Sequence, residues 1–376
     1  MLHDGYADMI YVLLPLWQAE FGLGYAELGL VRGLYAGTMA ALQIPAGLLA
    51  ERLGIALVLA LGTALAGLGY VLAGASGGLW GLAVALTIGG IGSSTQHPLA
   101  SSLVARAFAG PRALRALGTY NFTGDIGKML VPLLAALMLT AMPWRGTVGL
   151  IGGAGLVVAA AILALAPRAA APAAAAPAVS AAAAPPARHR TGFSLLVAIG
   201  VCDSATRMAF LTFLPFLLTA KGAGVSTVGV SLTLVFAGGA AGKLVCAFVG
   251  ARIGMFATVL LTEALTTAGI LLLLPLPLVA GLILLPLIGV ALNGTSSVLY
   301  GTVPALVGPE RQSRAFGVFY TATIGSGALA PLLFGAVGDR IGLVPSAALV
   351  ALLALATVPL AVALRPALPS SDPGPG

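Results

Sequence analysis

The chain has 376 residues, 59% of them apolar and only 8% charged, with a formal net charge of +7 and a mean hydropathy of +1.07. A soluble domain carries roughly 25% charged residues, so this composition cannot clothe a cytosolic enzyme, a nucleic-acid binder or a disordered scaffold. Its 18 basic residues are scattered and form no patch of the kind that nucleic acid requires.

A helix needs ~20 mainly apolar residues to cross a bilayer. Apolar runs bounded by breakers predict twelve such spans, at 3–22, 26–51, 55–75, 79–107, 113–142, 145–166, 193–219, 225–250, 255–275, 279–307, 313–339 and 343–364. The turns between them carry Gly22 and Gly24, Gly77 and Gly78, Gly110 with Pro111, and Gly308 with Pro309. Residues 167–192 differ. They are Ala/Pro-rich, with five prolines and three arginines, and read as a flexible linker. The expected organisation is a six-helix bundle over 1–166, the linker, a second bundle over 193–364, and a disordered tail over 365–376.

The basic residues set the orientation. With both termini in the cytoplasm, the inside holds Arg52, Arg106, Arg112, Arg115, Arg168, Arg188, Arg190, Arg252, Arg311, Arg314 and Arg365. The outside holds only Arg145, Lys221 and Arg340. Basic residues concentrate on the cytoplasmic side of membrane proteins, so cytoplasmic termini are expected. Cys202 and Cys246 both fall within spans, and without His or Cys neighbours they make neither a metal site nor a disulfide framework.

The two halves match at a shift of about 200. Pro15, Gly22, Gly24, Gly29, Arg52 and Gly54 match Pro215, Gly222, Gly224, Gly229, Arg252 and Gly254. At a shift of 199, Arg112, Arg115, Gly118 and Pro132 match Arg311, Arg314, Gly317 and Pro331. Six helices return the chain to the same face, so this is a parallel repeat, an arrangement expected of an alternating-access carrier. Asp203 matches His3, yet helix 7 begins about ten residues before Asp203. The reading therefore expects a natural start upstream of Met1, which would set His3, Asp4 and Asp8 well inside the bilayer.

The stretch Gly47-Leu48-Leu49-Ala50-Glu51-Arg52-Leu53-Gly54 resembles the loop motif between helices 2 and 3 of the major facilitator superfamily. It has Glu51 where Asp is usual, and Ile55 and Ala56 in place of the following basic pair; the second copy has Ala251 in place of the acid. Gly92-Ser93-Ser94-Thr95-Gln96-His97-Pro98, with Ser101-Ser102 and Val104-Ala105-Arg106, is similar to the fosmidomycin-resistance branch, as are His3-Asp4 and the Gly124, Gly127, Pro132 pattern. That last pattern partly resembles the antiporter motif of drug exporters, but Val131 replaces the glycine before the proline. The resemblance implies an all-α fold of twelve helices, with helices 3, 6, 9 and 12 peripheral and the other eight lining a cavity.

An ionised side chain at mid-membrane costs at least ~3 kcal/mol on insertion scales, so each needs a partner, water or a task. The set within the spans is Asp4, Asp8, Arg32, His97, Asp125, Lys128, Asp203, Arg207, Lys243 and Glu263, of which only Glu263 falls on a peripheral helix. Asp125 with Lys128 and Asp203 with Arg207 share helical faces. Either they are self-neutralising structural pairs, or ligand and proton binding break them. Arg32 and Lys243 have no partner within their own helices, which suggests an anionic substrate, or else pairs across the cavity with Asp4, Asp8 or Asp203. His97 beside the Pro98 kink could relay protons or donate to the freed carbonyl. Tyr11, Trp17, Tyr35, Tyr120, Asn121, Asn293 and Tyr300 could line the cavity or pack between helices.

The expected site therefore has Arg32, Tyr35, Asn121, Lys128, Arg207, Lys243 and Asn293 binding substrate. Asp4, Asp8, His97, Asp125 and Asp203 couple protons, and Glu51, Arg52 and Arg252 gate the cytoplasmic side. No P-loop, GxSxG or HExxH motif occurs, and no cofactor or metal is expected. The expected function is proton-coupled export of a small organic anion or antimicrobial by a monomer in the bacterial inner membrane. The partners are the substrate, protons and lipid, with no nucleic acid. Proton-coupled uptake of an anionic metabolite is the alternative, and a membrane-embedded enzyme or channel is a remote third. The stretch 335–342 (GAVGDRIG) looks like another loop motif, but the helix count puts it on the outer side.

Overall fold

The computed structural model describes residues 1–108, 111–165, 187–307 and 312–368. Among them every regular element is helical. In chain order these are α1 (Leu2–Phe21), α2 (Tyr25–Ala41), α3 (Gln43–Leu53), α4 (Ile55–Gly74), α5 (Leu79–Ser93), α6 (Gln96–Ala107) and α7 (Pro111–Met138). They continue as α8 (Trp144–Leu165), α9 (Ala187–Ala220), α10 (Val225–Leu273), α11 (Leu278–Leu306), α12 (Gln312–Ile341), α13 (Leu343–Leu355) and α14 (Thr357–Leu364).

All twelve expected spans are helical, and proline divides three of them. Proline lacks the N–H that would bond the carbonyl four residues earlier. Pro45 follows the 47° bend between α2 and α3, Pro98 follows the break between α5 and α6, and Pro359 follows that between α13 and α14. Conversely, α10 contains two expected spans and turns between them at Gly254, whose φ is 79°. Its repeat equivalent Gly54 has φ 90° and separates α3 from α4. A left-handed backbone at both positions explains why the repeat retains glycine there.

Eight helices are long and apolar enough to cross a membrane, or nine if α2 and α3 count as one bent span. The spans left over are α1, α5 with α6, and α7, and they carry Asp4, Asp8, His97, Asp125 and Lys128. Elsewhere the outer surface is hydrocarbon. On α4, Leu57, Leu61, Leu65, Leu68 and Leu72 form an exposed apolar ridge at three- and four-residue spacing, suited to lipid.

Two corrections concern the connections. Most of the expected linker lies outside the described residues, but 187–192 already belong to α9. Of the expected tail, Arg365–Ala367 form a 3-10 turn, and the Arg365 guanidinium lies 5.2 Å above the centre of the Phe256 ring.

The matched glycines and prolines meet in space. A Cβ at Gly29 of α2 would overlap the Pro331 carbonyl of α12, and one at Gly229 of α10 would overlap Ala136 of α7, beside Pro132. Two repeat-related seams, α2 on α12 and α10 on α7, thus bring each repeat against the other through backbone approach. Adding a methyl where no room exists typically costs about 1–3 kcal/mol, whereas Gly→Ala in an open helical position gains roughly 1 kcal/mol. Gly29→Ala should therefore lower the thermal unfolding midpoint in detergent. Gly47→Ala, which meets nothing within 4 Å, should leave it unchanged or raise it.

Candidate functional site

The ends of the bundle can be named by their turns, a Gly54 face and a Gly22 face. Between the two repeats lies a hollow in two connected parts, of about 560 and 220 Å³, which share Asp125, Lys128, Ala240, Lys243 and Tyr300. The wider part is walled by Gly118 and Asn121 near the start of α7 and by Tyr320 near the start of α12, so it opens toward the Gly54 face. The narrower part continues inward to Asp8, Arg207 and Asn293.

At the junction Lys243 Nζ of α10 donates to both carboxylate oxygens of Asp125 on α7, at 2.7 and 2.8 Å. The pair expected from spacing forms as well, but it is the longer of the two. Lys128, three residues from Asp125, stands 3.9 Å away, and Lys243, which has no partner within its helix, takes the carboxylate from across the repeat interface. Spacing along one helix could not reveal this, because the partner is 118 residues distant.

Asp203 and Arg207 are held farther apart. Among the described residues no ion pair joins them within 4.0 Å. Asp203 and Glu263, both buried, act on each other across α9 and α10, and Arg207 lines the inner hollow with its buried Nε unpartnered. Glu263, on a helix expected to be peripheral, is 1% exposed and lies in the second leg of α10.

Arg32 and Tyr35 do not line the hollow. The Arg32 guanidinium lies 4.9 Å above the Tyr11 ring and donates from Nη2 to the Tyr11 hydroxyl at 3.1 Å. The Tyr35 hydroxyl bonds Ser93 Oγ at 2.6 Å. His3 joins the same polar node, with Nδ1 at 3.3 Å from Ser93 Oγ and Nε2 at 3.0 Å from Thr63 Oγ1. His97 lines the wider hollow, with Nε2 3.8 Å from Asp4 Oδ1. Asp4 lies against Gly124, while Gly127 and Val131 press on the backbone of Met1 and on Gly5. The Gly124, Gly127, Pro132 pattern is therefore the seam on which α1 packs.

The expected gate residues Glu51, Arg52 and Arg252 are exposed on the Gly54 face, and no described ion pair links them. Closure is on the other face. Asp339, within the GAVGDRIG stretch, accepts from the backbone N–H groups of Tyr25 at 2.7 Å and Ala26 at 3.0 Å. Glu27 caps the Gly24 N–H at 2.9 Å, so the donors of Gly24, Tyr25 and Ala26 at the start of α2 are satisfied by its own first turn and by the other repeat. A Cβ at Gly335 would overlap the Tyr25 carbonyl. The stretch thus sits on the Gly22 face, as the helix count requires.

A polar, cation-bearing hollow that is open to one face and shut at the other, in a bundle clothed in hydrocarbon, marks a multi-pass membrane protein. The sequence pattern of the Major Facilitator Superfamily matches residues 2–198, just over half of the chain, and the chain belongs to that superfamily. It is accordingly an integral, multi-pass membrane protein of a family of transporters. It is similar to the fosmidomycin resistance protein of Escherichia coli (strain K12), 30% identical over 139 residues, which are 37% of this chain and 34% of the relative. It is also similar to a probable sulfoacetate transporter of Cupriavidus necator, 32% identical over 151 residues, 39% of this chain and 34% of the relative. The chain thus spans about a third of the length of the curated relatives it matches. Crystal structures of a bacterial homolog to the human lysosomal transporter Spinster, in inward-facing occupied and unoccupied conformations, share the fold. Their TM-scores are 0.77 and 0.76 at 15% and 17% identity, covering 99% of this chain and 96% of theirs.

An anion at a helix N-terminus stabilises by typically 0.3–1 kcal/mol, more when partly buried. Asp339→Asn should therefore raise the population open at the Gly22 face. Spin labels at Ala19 and Val344 would report it as a larger fraction of long distances.

Proposed function

We propose that this protein moves a small organic anion across the bacterial inner membrane by alternating access, coupled to protons, with both termini in the cytoplasm and as a monomer. The observation that carries the reading is the charge of the hollow. Lys128, Arg207 and Lys243 face Asp8 and Asp125 there, and Asp125 is already engaged by Lys243. Arg207, and Lys128, which holds Asp125 only at 3.9 Å, are left to meet a carboxylate, sulfonate or phosphonate, with Asn121, Asn293 and Tyr300 offering neutral hydrogen bonds nearby.

An anion that draws Lys243 or Lys128 toward itself weakens their hold on Asp125. Drawing one partner away from a half-buried ion pair leaves a less compensated charge, and binding a proton relieves it. Substrate and proton occupancy are then linked through one carboxylate. Asp4 and His97 stand at the mouth of the hollow, where they would pass protons between Asp125 and solvent. Asp8 lies deeper, beside Arg207. Tight seams of glycine, with the Asp339 latch on one face and the basic clusters that include Arg52 and Arg252 on the other, supply the two closures. The skew of basic residues toward the Gly54 face supports placing that face in the cytoplasm.

Export is the sense supported by the likeness to the fosmidomycin resistance protein. Uptake is the second reading. It is supported by the cationic hollow, by Val131 in place of the exporter-like glycine, and by the likeness to probable transporters of sulfoacetate and L-galactonate.

Proteoliposomes loaded with a pH dye test both. Sulfoacetate, L-galactonate and a phosphonate should each be tried as the labelled anion. Anion entry with lumenal acidification shows cotransport, whereas entry with lumenal alkalinisation shows exchange. Lys128→Ala and Arg207→Ala should raise the half-saturating concentration, each by roughly tenfold for a lost charged hydrogen bond of about 1.5 kcal/mol. Asp125→Asn should abolish the pH signal while leaving anion exchange. Equal transport of neutral solutes, unaffected by either cation, would sink the anion reading.

A further inference from the structure

The repeat that relates the halves also relates two buried polar nodes. A shift of 200 carries His3, Thr63 and Thr95 onto Asp203, Glu263 and Thr295, with Gly81-Leu82 and Ile88-Gly89 matching Gly281-Leu282 and Ile288-Gly289 on the way. In the first half, His3 Nε2 meets Thr63 Oγ1 at 3.0 Å. In the second half, the same two positions hold acids, Asp203 and Glu263, which are both buried and interact with each other. Even the surroundings correspond. A Cβ at Gly62 would touch Thr95 Oγ1, and at the equivalent place Thr295 Oγ1 donates to Thr262 Oγ1 at 2.7 Å. The contact between Asp203 and Glu263 is therefore a position built into the fold, which joins the first helix of each half to its third.

We propose that Asp203 and Glu263 form a proton-binding site, one proton shared between the two carboxyls, separate from the cluster at Asp125. Two carboxylates have only acceptor lone pairs, so they form a hydrogen bond only when one of them carries a proton. Neither can turn to water instead: Asp203 is 5% exposed and Glu263 1%. Glu263 Oε1 is buried with no partner among the described residues, which leaves a second charge there unmet. The groups that face the pair are few. Arg207 and Cys202 lie on α9, Thr295 and Tyr300 on α11, and Thr262 on α10. Arg207 alone among them is a cation, one helical turn from Asp203, and it also lines the inner hollow. Loss of the proton puts a second negative charge behind that guanidinium, so the pair and an anion in the hollow compete for the same cation. This assignment rests on the proton-coupled reading above for its role in transport, but not for its existence.

Infrared difference spectroscopy on the purified full chain tests it without any substrate. The wild type should show a protonated carboxylic-acid C=O band at neutral pH that fades as the pH rises. Glu263→Gln and Asp203→Asn, both nearly isosteric, should each lose one carboxylic acid per chain from that band. A wild type without the band, a band unchanged by both substitutions, or a band removed by sodium ions at constant pH would overturn the proposal. Proteoliposomes loaded with labelled sulfoacetate supply the functional arm. Glu263→Gln should lose the response to an imposed pH gradient while keeping exchange of the anion. An infrared signal as expected, with no transport of any anion tried, would leave the proton site standing and remove the transport reading.

Discussion

A charge removed from water into hydrocarbon must meet an opposite charge or keep contact with a wet cavity, and the Lys243–Asp125 bridge is where this protein meets that requirement. The lysine stands on α10 and the carboxylate on α7, at 2.7 and 2.8 Å, so the pair ties the two repeats together in the middle of the molecule. Everything polar gathers around it. The spans that fall short of membrane apolarity, α1, α5 with α6, and α7, are those that carry Asp4, Asp8, His97, Asp125 and Lys128. Their neighbours on the outside, such as the leucine ridge of α4, can then be purely apolar. The bridge is half-open to the hollow, with the lysine side chain 42% exposed, so it is weak evidence for net stability. It does hold charges at a place that a substrate anion or a proton can disturb.

The repeat supplies the moving parts twice and lets the chemistry differ. Gly29 against Pro331 and Gly229 against Ala136 and Pro132 are the same seam in two copies, each too close for a side chain. Seams of this kind associate by backbone packing, with no solvent-driven force between lipid-facing helices. Polar locks must therefore decide which end is shut. In this structure the lock is Asp339 at the start of α2 on the Gly22 face, while Glu51, Arg52 and Arg252 stand unlinked on the open face. The polar nodes joining first and third helices diverge in the same way. His3 with Thr63 is a node that can stay neutral, and Asp203 with Glu263 is one that cannot ionise fully.

Most of the predicted site residues do gather. Asp4, Asp8, His97, Asn121, Asp125, Lys128, Arg207, Lys243 and Asn293 all border the hollow. Arg32 and Tyr35 do not, because Tyr11 and Ser93 hold them between α1, α2 and α5. A cation without a partner in its own helix suggested an anion site, and the aromatic face that receives Arg32 leaves no signal in linear spacing. Asp339 was visible as part of a loop-like stretch, but its partner, the bare N-terminus of α2, is a backbone feature that no residue type announces.

Composition, hydropathic period, breaker placement and the internal repeat determined that this chain is a bundle of twelve membrane helices in two related sets. They also determined which residues would have to leave water. These properties are local or additive, since a span needs only its own twenty residues and a repeat only its own match. Which charge meets which was decided by the tertiary structure alone. Coulomb and hydrogen-bond partners depend on distances of a few ångströms between helices far apart in sequence. Asp125 holds Lys243 more closely than Lys128, and Asp203 answers to Glu263 as well as to Arg207, because the helices bring those groups together and the chain order does not.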